Sequence, residues 1–385
     1  MKVVFAPDSF KGSITAADAA MALAAGWTSA DPSAQAVLRP MADGGEGTID
    51  AFAAAVAGAE RMPVSVRDPA GRPRPTVWLL LPPTADAPNG TGVIDVASTS
   101  GIELLDELRP FDADSHGFGT AICAALDHGV SRLILGIGSS ASTDGGHGML
   151  TALGARFLDG RGAPVRPGAR GLLDIRRVDL TALRAAPETL VLTDVTNPLT
   201  GERGATAAFG PQKGLVAPPD IDAVDAALVR LARLLKVDPT VPGAGAAGGV
   251  GGALALWGGV LASGAQEVAR LGGLAEALRD ADVVVTGEGC YDGQSRNSKV
   301  PSYVAQLGVA AGARATLAAG AITADADRTP FAATVSLTEL AGSSDAALAA
   351  PAHWLRVAGQ ALATSARRAT VTPTRSALTE PLALP

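Results

Sequence analysis

What most limits how this chain can fold is a rhythm that runs almost its whole length: apolar runs of strand length alternate with longer amphipathic stretches. Val3–Ala6, Ala36–Arg39, Val77–Leu81, Val93–Val96, Leu133–Ile137, Leu190–Thr193, Val283–Thr286, Thr316–Ala319 and Ala333–Leu337 read as strands. Ala16–Ser29, Glu46–Ala57, Gly117–His128, Gly148–Phe157, Ile221–Leu235, Leu274–Ala281 and Asp345–Ala366 read as helices. Alternating elements bury their apolar faces by laying helices on a parallel sheet, so the expected class is α/β. Hydrophobic residues make up 47% of the chain but aromatics only 4%. A core of Ala, Val and Leu has to pack closely, as helices on a sheet do.

At 385 residues the chain exceeds one ordinary core and favours two domains. The texture changes at "PVSVRDPAGRPRPTVWLLLPP", residues 63–83, which reads as a hairpin with a Pro/Gly turn. The expectation is a Rossmann-like parallel-sheet domain formed by residues 1–62 and 266–369, with a second α/β domain, 63–265, inserted between them. Residues 370–385 lack periodicity and are expected to be a poorly ordered tail. The net charge of −7, with no basic run, excludes a nucleic-acid-binding surface. No apolar stretch reaches the roughly 20 residues a membrane helix needs. The amino terminus begins directly with a strand, and the two cysteines cannot build a disulfide framework, so a cytoplasmic location is expected.

Five of the strands run straight into glycines and acidic or polar residues. Val3–Ala6 is followed by "PDSFKGS", Ala36–Arg39 by "PMADGGEG" and Leu133–Ile137 by "GSSASTDGGHG". Leu190–Thr193 is followed by "DVTNPLTG" and Val283–Thr286 by "GEGCYDGQSRNSK". In α/β sheets the ligand crevice lies beyond the carboxyl ends of the strands. One such loop is an ordinary turn with an Asp cap. Five sharing the pattern point to a site.

Converging carboxylates need compensation, because two like charges about 4 Å apart at an effective dielectric near 20 cost about 4 kcal/mol. Oxygen-only ligands suit magnesium held partly by substrate phosphates. His116, His128, His147 and His353 are scattered, offer no transition-metal set and are given structural roles. Lysine is rare, occurring only at positions 2, 11, 213, 236 and 299. Lys11, Lys213 and Lys299 stand in glycine-bearing loops, where a compact cation suits a phosphate or carboxylate. There is no Walker loop, no protein-kinase signature and no nucleophile elbow with a His partner. Magnesium-assisted phosphoryl transfer remains.

Taken together, "APDSFKGS", "PMADGGEGT", "GSSASTDGGHGM", "DVTNPLTGERGA" with "FGPQKG", "PGAGAAGGVGGAL" and "TGEGCYDGQSRNSKVP" resemble the bacterial glycerate kinase family in order and spacing, from Met1 to about Arg368. The resemblance implies a two-domain α/β fold and phosphorylation of D-glycerate by ATP with Mg2+, with 2-phosphoglycerate the favoured product. A homo-oligomer is left open.

On that resemblance Lys11 and Ser9, with Asp8, Asn197 and Lys213, are expected to bind the acid. Asp43 and Glu46 are expected to hold the metal, with the neighbouring glycines clearing space for the ligand. Asp194 is expected to act on the attacking hydroxyl, with Asp144 next in line and Lys11 beside them. Gly287, Glu288, Gly289, Asp292, Ser295 and Lys299 are expected to contact the nucleotide. One domain is expected to close on the other. The chain departs from the family's pattern at Ser139, Ser142, Thr143, His147 and in the stretch from Cys290 to Lys299, mostly keeping hydroxyls or small residues. Two other readings stay open: an NAD-dependent oxidoreductase using "GIGSSA" (136–141), and a non-catalytic acid-sensing regulator of the same fold.

Overall fold

A computed structural model describes residues 1–293 and 299–371. In chain order the strands are β1 (Lys2–Phe5), β2 (Gln35–Leu38), β3 (Glu60–Arg67), β4 (Pro73–Leu81), β5 (Thr91–Asp95), β6 (Arg132–Gly136) and β7 (Arg156–Leu158). They continue with β8 (Arg177–Asp179), β9 (Glu188–Leu192), β10 (Val260–Ala262), β11 (Val283–Tyr291), β12 (Arg314–Ile322) and β13 (Ala333–Ser336). Among the described residues these form a five-stranded sheet ordered β13-β12-β11-β1-β2, a six-stranded sheet ordered β10-β9-β6-β5-β4-β3, and the small pair β7-β8.

The first sheet is parallel throughout and draws its strands from both ends of the chain. Its order is that of a doubly wound sheet, with the switch point between β1 and β11. The second sheet opens with the antiparallel run β3-β4-β5 and continues parallel through β6, β9 and β10. The protein is therefore α/β, with a Rossmann-like sheet interrupted by a second α/β unit. We propose that the two sheets mark two domains. Two adjustments to the expected boundaries follow. β3 begins at Glu60, so a division after residue 62 would cut a strand, and the helix Gly264–Leu271 spans the division after 265.

Local chemistry sets several helix ends. Thr15 caps the helix Ala16–Ala30 by accepting from the Asp18 N–H at 3.1 Å. This helix crosses Pro351–Val371 so tightly that a Cβ on Gly26 would overlap the Arg356 carbonyl, and one on Gly359 the Leu23 carbonyl. Such close crossings let an alanine-rich core with few aromatics pack well. Two expected elements are corrected. The helix expected over 148–157 is His147–Ala152; Gly154, at φ +106°, ends it and the chain becomes β7. The helix expected over 345–366 is two, Ser344–Ala349 and Pro351–Val371, because Pro351 cannot continue the first. The last two residues of that helix belong to the expected tail, while 372–385 lie outside the described residues.

One apolar cluster packs helices on the second sheet and another packs the helices Ala16–Ala30 and Pro351–Val371 on the first. A third joins Val4, Phe52, Val284 and Leu317 of the first unit to Leu79, Val93, Ile134 and Leu192 of the second. Domain motion is the default only where an interface is small and polar. The core shared by the two units is apolar, the kind of interface that restricts relative domain motion.

Candidate active site

The carboxyl-end loops of both sheets meet at the segment Pro40–Gly47, which follows β2. Gly138, just past β6, donates its N–H to the Gly44 carbonyl at 2.9 Å. A Cβ on Gly44, whose φ is +95°, would lie 2.6 Å from the Leu192 carbonyl oxygen at the end of β9. A Cβ on Gly138 would lie 2.5 Å from the Gly45 Cα, and one on Gly264 would overlap the Asp43 carbonyl. Gly44 and, facing it, Gly138 and Gly264 let one unit's backbone lie on the other's, while Gly45 and Gly47 line hollows. What the close approach secures is the position of Asp43, whose Oδ1 accepts from the Gly45 N–H at 3.0 Å.

Two hollows open on either side of Asp43. The first, about 400 Å³, lies at the switch point and is lined by Asp8, Ser9, Phe10, Lys11, Asp43, Glu288, Gly289, Asp292 and Lys299. Its far wall is apolar: Leu337, Ala347, Leu348 and Pro351. Asp8 reaches it because its N–H donates to the Gly287 carbonyl at 2.8 Å, tying the loop after β1 to β11. Burial raises the Asp8 carboxyl well above its usual value, and the neighbouring Asp43 and Glu288 charges push it further. Lys299 Nζ stands 4.0 Å from Glu288 and 3.9 Å from Asp292.

The second hollow, about 360 Å³, lies at the carboxyl ends of β6 and β9. Lys11 and Asp43 line it as well, facing Asp194, Lys213, Glu103, Ser139, Ser140 and Ala247. Asp194 Oδ1 accepts from Ser263 Oγ at 2.9 Å and the Gly264 N–H at 3.0 Å, while its Oδ2 is buried without a hydrogen-bond partner. Burial, with Asp43 second, raises this carboxyl to about 6. Ser139 and Ala247 hold positive φ without being glycine, backbone strain of the kind found at functional sites.

Several expected roles change here. Glu46 lines neither of the two hollows that Asp43 lines. It opens on a third hollow with Ser9, Lys11 and Asp50, and burial and then Glu103 raise its carboxyl. Asp144 lines none of these hollows. Fully buried, it accepts from the Ser115 N–H and hydroxyl and from the Gly146 and Gly148 N–H groups, so it is a structural hub and not a second catalytic acid. Asn197 gives its amide to the Arg203 carbonyl at 2.8 Å and lines neither of the two large hollows. Asp8 and Ser9 face the first hollow, apart from Asp194. Gly287 and Gly289 sit inside β11 and not in a loop beyond it. Ser295 lies outside the described residues. Sequence reasoning missed Glu103 and the apolar wall from 337 to 351; neither carries a motif, and only tertiary packing brings them in.

The dinucleotide alternative fails on the same geometry. No helix opens after "GIGSSA" until His147, and the N–H groups at its start are taken by Asp144. Among the described residues no three His, Cys, Asp or Glu side chains form a ready-made metal cage. The mutual repulsion of Asp8, Asp43 and Glu288 is nonetheless what a hard dication arriving with phosphates would relieve.

Fold and site together define a two-unit α/β enzyme whose acidic crevice joins two adjoining hollows. The model of the glycerate kinase family matches residues 3–367. Glycerate 2-kinase of Escherichia coli (strain K12) is 40% identical over 317 residues, covering 80% of this chain and 82% of that protein. Glycerate kinase of Bacillus subtilis (strain 168) is 37% identical over 317 residues, covering 80% and 81%. A crystal structure from Salmonella typhimurium LT2, named for glycerate kinase 2, superposes with a TM-score of 0.79 at 36% identity, covering 96% of this chain and 99% of that one. The chain belongs to the glycerate kinase family, and it is a kinase.

Proposed function

We propose that this protein transfers the terminal phosphoryl group of ATP to D-glycerate with Mg2+, forming 2-phosphoglycerate, and that it does so in the cytoplasm. The observation that carries the reading is the wall shared by the two hollows: Lys11 and Asp43 line both, which is what transfer between a donor and an acceptor bound side by side requires.

The first hollow suits the nucleotide. Leu337, Ala347, Leu348 and Pro351 give a base an apolar surface, and Lys299 stands where phosphates would meet a cation beside Glu288 and Asp292. Gly289 approaches the Phe10–Lys11 backbone, keeping this floor thin. Asp43, with Asp8 and Glu288 near it, would hold the magnesium, which when bound neutralises charge on the transferring phosphoryl oxygens.

The second hollow suits a small hydroxy acid. Asp194, lining this hollow with one oxygen fixed by Ser263 and Gly264 and its carboxyl raised to about 6, suits a general base that orients an alcohol and takes its proton. Lys11, exposed on the shared wall, faces the phosphoryl group on either side of transfer. The 2-hydroxyl as acceptor is supported by the Escherichia coli relative's name. A coupled assay of ADP release from ATP, Mg2+ and D-glycerate, with the product identified by phosphorus NMR, tests the reading. Turnover to 2-phosphoglycerate is expected, and no glycerate-dependent ADP release would overturn it.

A further inference from the structure

Lys213 ends the single turn Pro211–Lys213 and is only 3% exposed. Its Nζ donates to Ser140 Oγ at 2.7 Å and to the Ser142 carbonyl at 2.6 Å, both uncharged acceptors. An ammonium has three donors, and among the described residues Lys213 makes no ion pair. Buried charges are normally paired, because an unpaired one keeps its full desolvation cost. The charge felt most strongly is that of Asp144, whose oxygens are already engaged by Ser115, Gly146 and Gly148.

The hollow that Lys213 lines is hostile to anions on its other sides. Asp194 faces it from the end of β9, Glu103 from the segment after β5, and Asp43 from the first unit, while Lys11 is its only other cation among the described lining residues. A carboxylic acid entering this hollow would meet three carboxylates unless a cation receives it.

Resting on the reading that the second hollow takes the acceptor, we propose that Lys213 selects for a carboxylate on that acceptor. The acid's carboxylate supplies the counter-ion this buried ammonium lacks, and a neutral polyol or amide of the same size does not. Lys213 is a binding and specificity residue at the end of the hollow away from the phosphoryl group, and Lys11 is left to the transfer itself. Burial pulls Lys213 down to about 7, so above that pH the free protein holds it neutral and an arriving carboxylate draws a proton onto it. The KM for the acid should therefore rise as pH increases above about 7, although the acid itself stays ionised.

The test compares D-glycerate with D-glyceramide as acceptors for wild type, Lys213→Met and Lys213→Arg, reading ADP release and, separately, calorimetric binding of each acceptor. Wild type should prefer the acid. Lys213→Met should raise the KM for the acid on the order of 100-fold, change kcat less, and erase the preference over the amide. Lys213→Arg should restore part of it. Equal KM values of wild type for acid and amide, or an unchanged preference in Lys213→Met, would overturn Lys213's role while leaving the kinase reading intact. Binding of D-glycerate that depends on Lys213, without ADP release, would overturn the kinase reading and leave Lys213's role standing. If Lys213→Met fails to fold, the wild-type acid-to-amide comparison and the rise of KM with pH decide the matter.

Discussion

Replacing Asp194 by Asn keeps the side chain's shape and removes its ability to take a proton. General bases contribute roughly 10²- to 10⁴-fold, which at about 1.4 kcal/mol per decade is about 3–5 kcal/mol of the barrier. The environment supports a value within that range. One oxygen is pinned by Ser263 and Gly264, the other is buried without a partner, and burial with Asp43 raises the carboxyl from 3.8 to about 6. The ionised form is the base, so wild-type kcat should climb as pH rises through about 6 and then level off. Asp194→Asn should lower kcat by at least roughly 100-fold and abolish that acidic limb, measured by steady-state ADP release between about pH 5 and 8.5. A loss below tenfold, or an acidic limb that survives, would refute the assignment. The same shift has a stability consequence of fixed sign. A carboxyl raised in the folded state holds its proton more tightly there, so its cost grows as pH rises from about 4 through about 6. In the ligand-free protein at pH 8, Asp194→Asn should therefore be the more thermostable form, by at most about 3 kcal/mol.

Other perturbations separate the parts of the site. Lys11→Ala removes the cation shared by both hollows and should lower kcat more than it raises either KM; a change confined to the KM for the acid would move Lys11 off the transfer path. Asp43→Asn should raise the magnesium concentration needed for half-maximal rate, and a flat response would reassign the metal to Asp8 and Glu288. Gly138→Ala forces a Cβ against Gly45 across the two units, and overpacking of about 1–3 kcal/mol should lower Tm and activity together; an unchanged Tm would contradict the tight crossing. Leu348→Asp should raise the KM for ATP while leaving that for the acid alone, since Leu348 lines only the first hollow.

Much of this was legible in the chain because local pattern and tertiary need agree there. All nine expected strand runs overlap strands of the structure, and the hairpin expected at 63–83 is β3-β4, because alternating and continuous apolar runs have few other uses. The rule that loops at strand carboxyl ends share a crevice points to Asp8, Asp43, Glu288 and Lys299, which line one hollow; Asp194 lines the adjoining one with Asp43, and Glu46 opens on a third. What stayed hidden depended on partners distant in sequence. "GEGCY" looked like a loop because glycine weakens strands, yet β12 supplies pairing as far as Tyr291 and Ile322, and a Cβ on Gly287 would strike the Ala318 carbonyl. Asp144 carried the same motif texture as Asp43, and nothing in its neighbourhood announces that Ser115, from the helix before, fills its lone pairs. Gly44 and Gly45 of "PMADGGEG" signalled close approach but not what approaches; the answer, Gly138 just past β6 and Leu192 at the end of β9, lies roughly 100 or more positions on.

A crystal structure with a non-hydrolysable ATP analogue, Mg2+ and D-glycerate is the most direct trial of donor and acceptor lying side by side across Lys11 and Asp43. It should place the base against Leu337 and Pro351, the terminal phosphate at the wall formed by Lys11 and Asp43, and the acid between Asp194 and Lys213. Nucleotide seated in the hollow of Asp194, or acid bound away from both Asp194 and Lys213, would contradict it.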